Sequence, residues 1–576
     1  MEKESNKLET MRHSASHLLA AAVLKFYPKA KFGIGPAIEN GFYYDFDLGA
    51  TISEQDLSKI ENEMLRLKTI DLKIEKETIP KTQALPLFTK LNQDYKLELI
   101  NEIKAKSVTV YKLGDFVDLC RGPHVSSTRK IGPFKIINTA GAYWRGSEKN
   151  PMMTRIYGTA FADEKDLSEY LNNLRQLQKY DHRKIGAQLD LFSFHQQSPG
   201  AVFWHPKGKI LYENLINFSR EIQAKYGYHE VAAPDILNLD IWKQSSHYVH
   251  YKNAMYFIQA KNESISYALR PMDCPGEILI YKTQTRSFRE LPIRFSEYGT
   301  IFRKELSGTL HGLFRVVQFV QDDAHIFVTE EQIKDEISQI IKLAKEVYQT
   351  FGLEFKVFLS TRPAEFVGKV EAWDKAEADL KKALINNKMD FEIAEGEGAF
   401  YGPKIDFQLQ DVFGRSWQCG TIQLDFQMPE KFEMEYVGSS GKPQRPVILH
   451  RTILGSMERF IGVLLEHFKG NLPLWLCPVQ VLILPIASRH QKAAEKVADE
   501  LKQKNIRVEV DSRNLTVSKK VREGELDKIP YLCIIGDKEI SKDKIKVAVR
   551  TRGKDMGQLA LANFQKQVIS TITNKK

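Results

Sequence analysis

Short apolar runs alternate with amphipathic segments at the end of the chain, and this order limits the fold more than any other feature. The apolar runs span 479–485, 506–510 and 531–535, and the segment 491–504 between the first two has helical spacing. Parallel strands need a crossover of helical length between them, whereas hairpins do not. The alternation therefore predicts a small α/β domain with a largely parallel sheet, which we place at residues 476–576.

The preceding part of the chain lacks this alternation and predicts other domains. At about 150 residues each, 576 residues allow three or four domains. Residues 1–164 mix short strands with a helix that Ser53 and Asp56 would begin as a capping box. Residues 165–188 are polar with spaced leucines, which predicts a connecting helix, and residues 189–475 combine aromatic strands with long helices. The expected fold class is a multidomain protein with α+β and α/β domains.

Charge and cysteine content limit the partners and the compartment. The net charge of +10 suits a polyanionic partner such as nucleic acid, although charge alone leaves that partner open. Five scattered cysteines, an odd number, argue against a disulfide framework and for a reducing cytoplasm. No apolar run approaches the ~20 residues that span a bilayer, and the first ten residues lack the apolar core of a secretory signal. We therefore expect a cytoplasmic protein with no membrane contact.

The usual nucleotide-binding patterns are missing from the sequence. It contains no GxxxxGK(S/T), no GxGxxG between a strand and a helix, and no HExxH. If the protein uses ATP, side chains on a sheet must bind it instead of a glycine-rich loop.

Two segments of the middle block carry arginines in an informative order. Phe302-Arg303-Lys304-Glu305, followed by a loop to Phe314-Arg315, resembles motif 2 of the class II aminoacyl-tRNA synthetases. Leu454-Gly455-Ser456-Met457-Glu458-Arg459 opens an apolar helix and resembles motif 3. Arginine suits phosphate binding, because its planar guanidinium donates paired hydrogen bonds and stays charged. Motif 1, the dimer-forming element, would be the helix 211–226 and the strand 229–233, so the resemblance implies an antiparallel catalytic sheet and a homodimer.

Within that class, three segments resemble the threonyl-tRNA synthetases. The segments are 271–275, 321–325 and 449–451. The zinc ligands of the family fall on Cys274, His325 and His450, which implies one Zn²⁺ per chain. Three nitrogen or sulfur ligands leave the fourth tetrahedral position open, as in catalytic rather than structural zinc sites.

The chemistry of threonine explains why a metal would be useful. Threonine and valine are nearly isosteric, and an apolar pocket separates such pairs by only about a hundredfold. A zinc ion that binds the amino group and the hydroxyl would reject valine, which has no hydroxyl. Serine keeps the hydroxyl and lacks only a methyl group, worth ~1–3 kcal/mol, so it would be activated by mistake. The zinc site therefore predicts a separate editing site.

The resemblance also implies the substrate pocket and the reaction, which is adenylation of L-threonine followed by transfer to the terminal ribose of tRNA(Thr). Arg303 would bind the α-phosphate of ATP, Arg459 the γ-phosphate and Glu305 the adenine amino group, with Mg²⁺ on the ATP. Phe319 would stack on adenine, and Lys404 is expected to be catalytic with these residues. The remaining implied contacts are with ATP for Arg315, Gln418 and Gln423, and with threonine for Met272, Gln321, Asp323 and Tyr401.

A second cluster of reactive side chains lies in the first block. His13 and His17 share one helix face, Asp118 and Cys120 share one strand face, and His124 follows. By themselves these residues suggest either another zinc site or a buried polar network. The pattern HxxxH…DxCRGPH resembles the editing domain of bacterial-type threonyl enzymes, which implies hydrolysis of Ser-tRNA(Thr) without a metal. The resemblance adds Tyr44 and Lys96, and the residue that activates water is left open among Lys96 and the three histidines.

Segments of the last domain resemble the anticodon-binding domain of the same subgroup. Asn514, Glu539 and Arg550 occupy the base-reading positions on its loops. Asn and Arg offer donors to the exposed edges of unpaired bases, and the surrounding lysines suit phosphates. This domain is therefore expected to bind tRNA(Thr).

The chain also departs from the family pattern. It starts almost at the editing block, so we expect a form without the small N-terminal domain. An inactive, RNA-binding regulator is the main alternative, but such a protein should have lost zinc ligands or motif arginines. A free-standing hydrolase would leave the second and third blocks unexplained. The substituted positions are Asp273 and Glu277 for Asn and His, Lys304 and Leu306 for Asn and Pro, Val317 for Arg, and Ser147 for Asp.

Overall fold

The computed structural model describes residues 2–259, 266–540 and 545–576, and the chain forms two compact units that divide between residues 176 and 177. Each unit has its own hydrophobic core. Within the described residues, no helix is both long enough and apolar enough to cross a membrane.

The first unit contains two antiparallel sheets. Its strands are β1 (Lys31–Phe32), β2 (Ala37–Ile38), β3 (Gly41–Asp47), β4 (Ile74–Pro80), β5 (Ser107–Leu113), β6 (Phe116–Leu119), β7 (Phe134–Tyr143) and β8 (Met152–Ala160). The larger sheet has the order β1–β3–β8–β7 with β2 on β3, and the smaller has the order β4–β5–β6. The predicted strands at 42–46 and 108–113 are therefore confirmed as parts of β3 and β5.

Helices cover these sheets. They are α1 (Glu2–Phe26), α2 (Glu54–Thr69), α3 (Lys81–Lys90) and α4 (Asp94–Glu102). Ala15, Leu18 and Leu19 of α1 are fully buried in one core with Phe42 of β3. The predicted capping box at Ser53 begins α2, which confirms that boundary.

The connecting segment is two helices where one helix was predicted over 165–188. α5 (Glu164–Lys179) ends before a break, and α6 (His182–Gln188) follows. The single-helix prediction is wrong because the Asp181 side chain accepts a hydrogen bond from the backbone N–H of Arg183 and so begins a new helix.

An eight-stranded sheet forms the centre of the second unit. Its strand order is β11–β16–β17–β24–β21–β20–β18–β19, and all neighbours are antiparallel except the two edge pairs β11·β16 and β18·β19. The predicted antiparallel catalytic sheet is thus confirmed. The strands of this part are β9 (Phe192–Ser193), β10 (Phe203–Trp204), β11 (His229–Glu230), β12 (Ile236–Asn238), β13 (Phe257–Gln259), β14 (Ser266–Leu269), β15 (Arg286–Ser287), β16 (Ile293–Phe302), β17 (Gln318–Val328), β18 (Glu354–Ser360), β19 (Glu392–Ala394), β20 (Lys404–Gln410), β21 (Ser416–Asp425), β22 (Tyr436–Val437), β23 (Pro443–Gln444) and β24 (Val447–Thr452).

Helices pack on this sheet and complete the core. The helix predicted for motif 1 begins earlier than expected, at Pro206, because proline is well suited to the first turn. Ile337, Ile341 and Phe460 are among the fully buried residues that join helices to the sheet. The helices are α7 (Pro206–Lys225), α8 (Leu239–Gln244), α9 (His247–Tyr251), α10 (Cys274–Tyr281), α11 (Ile333–Thr350), α12 (Val370–Asn386), α13 (Gln427–Lys431) and α14 (Met457–His467).

The last part of the chain is a mixed α/β sheet. Its elements are β25 (Val481–Pro485), α15 (Gln491–Lys502), β26 (Val508–Val510), α16 (Val517–Leu526), β27 (Tyr531–Ile535), β28 (Lys546–Thr551), β29 (Lys554–Ala560) and α17 (Leu561–Thr573). β25, β26 and β27 are parallel as predicted. β28 and β29 add an antiparallel hairpin, so the sheet is less parallel than the sequence indicated.

Candidate active site and editing site

One face of strand β17 provides a row of functional side chains. Phe319, Gln321, Asp323 and His325 occupy alternate positions, and alternate residues of a strand point to the same face. The second half of the strand is buried, because it lies between β16 and β24 in the middle of the sheet. The sequence QFVQDDAHIFV thus places polar side chains in a deep, shielded location.

The three predicted metal ligands meet at the end of this row. His450 of β24 is the register partner of His325, and Cys274 begins α10. The candidate ligand atoms of the three residues lie within 4.8 Å of one another, and all three side chains are buried. A buried set of one thiol and two imidazoles is a donor set that Zn²⁺ prefers, so these residues fit a zinc ion.

Each histidine of this group contacts a buried carboxylate. Glu277 Oε1 lies 2.8 Å from Nδ1 of His325, and Asp425 Oδ2 lies 2.9 Å from Nε2 of His450. The Cys274 sulfur lies 3.8 Å from Nε2 of His247. From the sequence, Glu277 is recognised only as a departure from the family pattern. No sequence motif points to Asp425 or His247 as part of the site.

Burial controls protonation in this region. It raises the pKa of the Cys274 thiol well above its usual range and lowers the pKa of His325 to about 3, so the imidazole is neutral and available as a ligand. Burial, together with the neighbouring Asp322 carboxylate, raises the pKa of Asp323. A bound dication would favour the charged forms of the thiol and the carboxyl group.

A cavity of about 290 Å³ extends from the three ligands along the sheet. Arg303 lies over the ring of Phe319, 5.3 Å from its centroid, and Arg315 forms a 2.8 Å ion pair with Glu305. Of the residues predicted from the sequence, the cavity is lined by Met272, Cys274, Arg303, Glu305, Arg315, Phe319, Gln321, Asp323, His325, Tyr401, Gln418, Gln423, His450 and Arg459.

Lys404 is the predicted residue that does not line this cavity in the structure. It pairs in register with Gln423, which does line the cavity, and its ammonium lies 2.9 Å from Asp406. Gln418 donates to the same carboxylate over 2.7 Å. Asp406 therefore connects Lys404 to a lining residue.

Asp322 stabilises the turn before α14. It lies on β17 between Gln321 and Asp323, so its side chain points to the opposite face of the strand. Its buried carboxylate accepts hydrogen bonds from the backbone N–H groups of Ile453, Leu454 and Gly455. Gly455 has a φ of 72°, and an added Cβ would lie 2.8 Å from a backbone oxygen, so glycine is required there. This contact positions the start of the helix that carries Arg459.

The opposite end of the cavity is stabilised by His182, which the sequence did not single out. Its Nδ1 lies 2.7 Å from Glu466 Oε1, and its Nε2 accepts a 3.0 Å hydrogen bond from the N–H of Leu313. The next residue, Phe314, lines the cavity and accepts a hydrogen bond from Nε of Arg459. The backbone that carries Phe314 is therefore held by a side chain from α6.

The first unit brings together the predicted editing residues. Candidate ligand atoms of His13, His17, Cys120 and His124 lie within 4.8 Å of one another. The Cys120 sulfur is 3.3 Å from Nε2 of both His13 and His124. Burial raises the pKa of Cys120 to about 11 and lowers that of His124 to about 2. The cluster is thus a neutral thiol among neutral imidazoles.

Asp118 joins the remaining predicted editing residues. Its carboxylate lies 2.5 Å from the Lys96 ammonium and accepts a 2.6 Å hydrogen bond from the Tyr44 hydroxyl. Nε2 of His17 lies 3.4 Å from it. Asp118 and Lys96 are each only 2% exposed, so this ion pair is shielded from water on the inner side of the cluster.

The predicted anticodon residues lie on different elements. Asn514 is exposed after β26 and Glu539 follows β27, whereas Arg550 lies within β28 opposite Leu532. The expectation that all three lie on loops is therefore wrong for Arg550. Glu539 is buried and accepts hydrogen bonds from the N–H of Gly536 and the side chain of Gln558.

Comparisons with known proteins agree with this architecture. Residues 256–468 match the model of the tRNA synthetase class II core domain (G, H, P, S and T), residues 108–157 match the threonyl and alanyl tRNA synthetase second additional domain, and residues 480–571 match an anticodon binding domain. The chain is thus a class II aminoacyl-tRNA synthetase with an editing domain and an anticodon-binding domain.

Whole-chain relatives identify the family. The threonine–tRNA ligase of Clostridium tetani is 50% identical over 568 residues, which cover 98% of this chain and 88% of the relative. That of Carboxydothermus hydrogenoformans is 50% identical over 570 residues, 99% of this chain and 89% of the relative. The chain belongs to the threonine–tRNA ligase family.

Solved structures agree. The RNA binding domain of threonyl-tRNA synthetase from Cryptosporidium parvum Iowa II superposes with a TM-score of 0.66 at 42% identity, over 68% of this chain and 98% of that one. The putative threonyl-tRNA synthetase ThrRS-1 of Aeropyrum pernix has a TM-score of 0.60 at 30% identity, over 69% of this chain and 96% of that one.

Proposed function

We propose that this protein joins L-threonine to tRNA(Thr) through a threonyl-adenylate made from ATP, and hydrolyses Ser-tRNA(Thr) in its first unit. The observation that carries the proposal is the convergence of Cys274, His325 and His450 at one end of a cavity whose other residues include Arg303 and Arg459. Such a cavity provides a cation site for the amino acid next to positive charge for the triphosphate. The relatives described above are ligases by name, and they give the inactive regulator no support.

In this proposal Cys274, His325 and His450 would hold Zn²⁺, which would supply a Lewis acid for a substrate with both an amino group and a hydroxyl. Asp323 and Gln321 lie on the same strand face. The Asp323 carboxylate would accept a hydrogen bond from the amino acid, and the Gln321 side chain would donate one. Tyr401, which hydrogen-bonds to Gln423, would close the pocket around the side chain. Valine would be rejected because it lacks the hydroxyl.

The arginines would act on ATP. Arg303 and Arg459 would bind the phosphates, which arrive with Mg²⁺, and neutralise the charge that develops as pyrophosphate leaves. Glu305 would have to release Arg315 before it contacts the adenine amino group, because the two side chains pair with each other in the structure. The carboxylate of threonine is itself the nucleophile, so the protein contributes position and charge rather than a nucleophilic side chain.

The editing cluster would activate water for hydrolysis of the seryl ester. Neutral imidazoles can accept a proton. His13 and His124 are both partly exposed and each lies 3.3 Å from the Cys120 sulfur, but burial lowers the pKa of His124 to about 2 and makes it a weak base, so His13 is the better candidate. The Lys96–Asp118 pair would position Tyr44 and polarise the site. No metal is needed for this chemistry.

The remaining assignments follow the family. Asn514, Glu539 and Arg550 would contact the anticodon. Glu539 would first leave Gly536 and Gln558, and Arg550 would leave Glu525, which lies 3.6 Å from its guanidinium. The helix α7 would take part in a homodimer interface. The five cysteines form no disulfide bond, which is consistent with a location in the reducing cytoplasm.

Threonine-dependent exchange between ATP and pyrophosphate tests the proposal. We expect exchange with threonine, weaker exchange with serine and none with valine. Exchange with none of the three amino acids would contradict ligase activity, whereas equal exchange with valine would contradict recognition of the hydroxyl.

A further inference from the structure

The carboxylate of Glu277 lies against a metal ligand. Glu277 is on the first turn of α10, three residues after Cys274, so both side chains project from the same side of the helix. Its Oε1 lies 2.8 Å from Nδ1 of His325, close in distance although without the alignment of a full hydrogen bond. Among the described residues, neither Glu277 oxygen nor Nδ1 of His325 has a fully aligned hydrogen-bond partner.

The second histidine has an equivalent contact from a different element. Asp425, at the end of β21, is fully buried and its Oδ2 lies 2.9 Å from Nε2 of His450. Its other oxygen accepts hydrogen bonds from the backbone N–H groups of Gln427 and Met428. The carboxylate is therefore fixed at the start of α13. Asp425 is therefore a rigid hydrogen-bond acceptor.

The two carboxylates select different ring nitrogens. A proton held on Nδ1 of His325 leaves Nε2 to bind a cation, whereas a proton held on Nε2 of His450 leaves Nδ1. Metal-binding histidines commonly donate their second N–H to a carboxylate, which fixes the tautomer and the ring orientation. Both carboxylates are fully buried, so each N–H has a nearby acceptor inside the protein.

We propose that Glu277 is a positioning residue for the metal centre: its carboxylate accepts the Nδ1–H of His325 and directs Nε2 of that ring toward the ion, as Asp425 does for His450 through the opposite nitrogen. This inference rests on the zinc site proposed above. It assigns a role to a residue that is a glutamate here although the family pattern has a histidine.

Loss of a carboxylate with a purely structural role would lower the thermal midpoint of the metal-free chain and leave its metal affinity unchanged. The Glu277 oxygens have no aligned hydrogen-bond partner, and burying a polar group without one costs free energy, so replacing this side chain with an apolar one of similar volume should leave stability unchanged or raise it. A positioning carboxylate instead lowers the affinity for the ion when it is lost, typically by about 10–100-fold. Metal affinity and stability without metal therefore separate the two roles.

The test uses the full-length chain freed of metal with a chelator, and measures Zn²⁺ affinity by competition with a chromophoric chelator. For Glu277→Leu we expect an affinity about 10–100-fold lower, with a thermal midpoint of the metal-free chain that is unchanged or higher. Glu277→Gln keeps an acceptor without the charge, and we expect an affinity between those of the wild type and Glu277→Leu. Ile278→Val, which removes one buried methylene from the same helix, is the matched control and should bind zinc as the wild type does.

Wild-type affinity in both Glu277 variants would overturn this inference and leave the zinc site intact. A wild-type chain that takes up no zinc would overturn the metal centre and this inference with it. If Glu277→Leu does not fold, the isosteric Glu277→Gln decides alone, because affinity equal to that of the wild type in that variant contradicts a role for the carboxylate.

Discussion

Cys274 is the residue on which the metal centre most depends, because it supplies the only sulfur ligand among the three candidates. We expect Cys274→Ser to lose zinc and to lose threonine-dependent exchange by at least about a hundredfold, since a buried hydroxyl is a poor zinc ligand. Metal content and exchange are measured on the same preparation. Cys533→Ser, a buried cysteine of β27, is the matched control and should keep both; loss of exchange with zinc still bound would contradict the assignment.

Glu458 gives a pH-dependent prediction at the same scale. Burial raises its pKa to about 7 from a usual value near 4.5, so as pH rises between these values the unfolded chain ionises first and the folded state loses stability. The loss amounts to about 3 kcal/mol at most. Glu458→Gln should therefore gain thermal stability relative to the wild type between pH 5 and pH 8. Parallel midpoint-against-pH curves for the two proteins would contradict this.

Residues inside motifs could be predicted from the sequence, whereas residues that support them could not. Arg303, His325 and Arg459 lie in short segments whose spacing carries their role, and the structure brings them to one cavity. Asp322 and His182 act through contacts with segments 131 or more residues away, and no local pattern signals such contacts.

At the scale of elements, β17 determines most of the site. The sequence predicts Phe319, Gln321, Asp323 and His325 one by one, through the family resemblance. It does not predict that they share one face of a buried strand, because that follows from the place of β17 in the middle of the sheet. The break between α5 and α6 and the hairpin of β28 and β29 could not, because a single Asx cap and an antiparallel strand pair have weak sequence signals. The predicted domain boundaries at 164, 188 and 475 remain predictions.

The contact between α6 and the cavity gives a prediction for these elements. His182→Ala removes the acceptor of the Leu313 N–H, and a buried unpaired donor costs about 1–3 kcal/mol. Because the next residue lines the ATP end of the cavity, we expect a higher KM for ATP in the exchange assay with the KM for threonine little changed. His205→Ala, a histidine paired with Asp190 at the surface, is the control. An equal rise in both constants would contradict a local effect.

For the whole molecule, the division into two units separates two activities. The cluster of His13, His17, Cys120 and His124 lies in the first unit. The cavity beside the three metal ligands, where we propose that ATP and threonine bind, lies in the second. We therefore expect His13→Ala to leave exchange intact and to let Ser-tRNA(Thr) accumulate when serine is supplied. Glu9→Ala, an exposed change on the same helix, should do neither. Loss of adenylation in His13→Ala would contradict the separation.

The catalytic and C-terminal parts share one unit, and their contacts explain this. The N–H of Leu474 donates to the carbonyl of Lys576, and Arg552 donates to the carbonyl of Leu472. Arg507 donates to the carbonyls of Cys477 and Trp475. The guanidinium of Arg552 therefore joins the two parts of the unit.

In the function that we propose, a zinc ion held by one thiolate and two imidazoles would select threonine by its hydroxyl. Anomalous diffraction at the zinc edge from crystals of the full-length protein with threonine bound tests it most directly. We predict one zinc peak per chain among Cys274, His325 and His450, with the amino group and hydroxyl of threonine as its further ligands. A protein that charges threonine with no zinc at these residues, or with zinc bound elsewhere, would contradict the account.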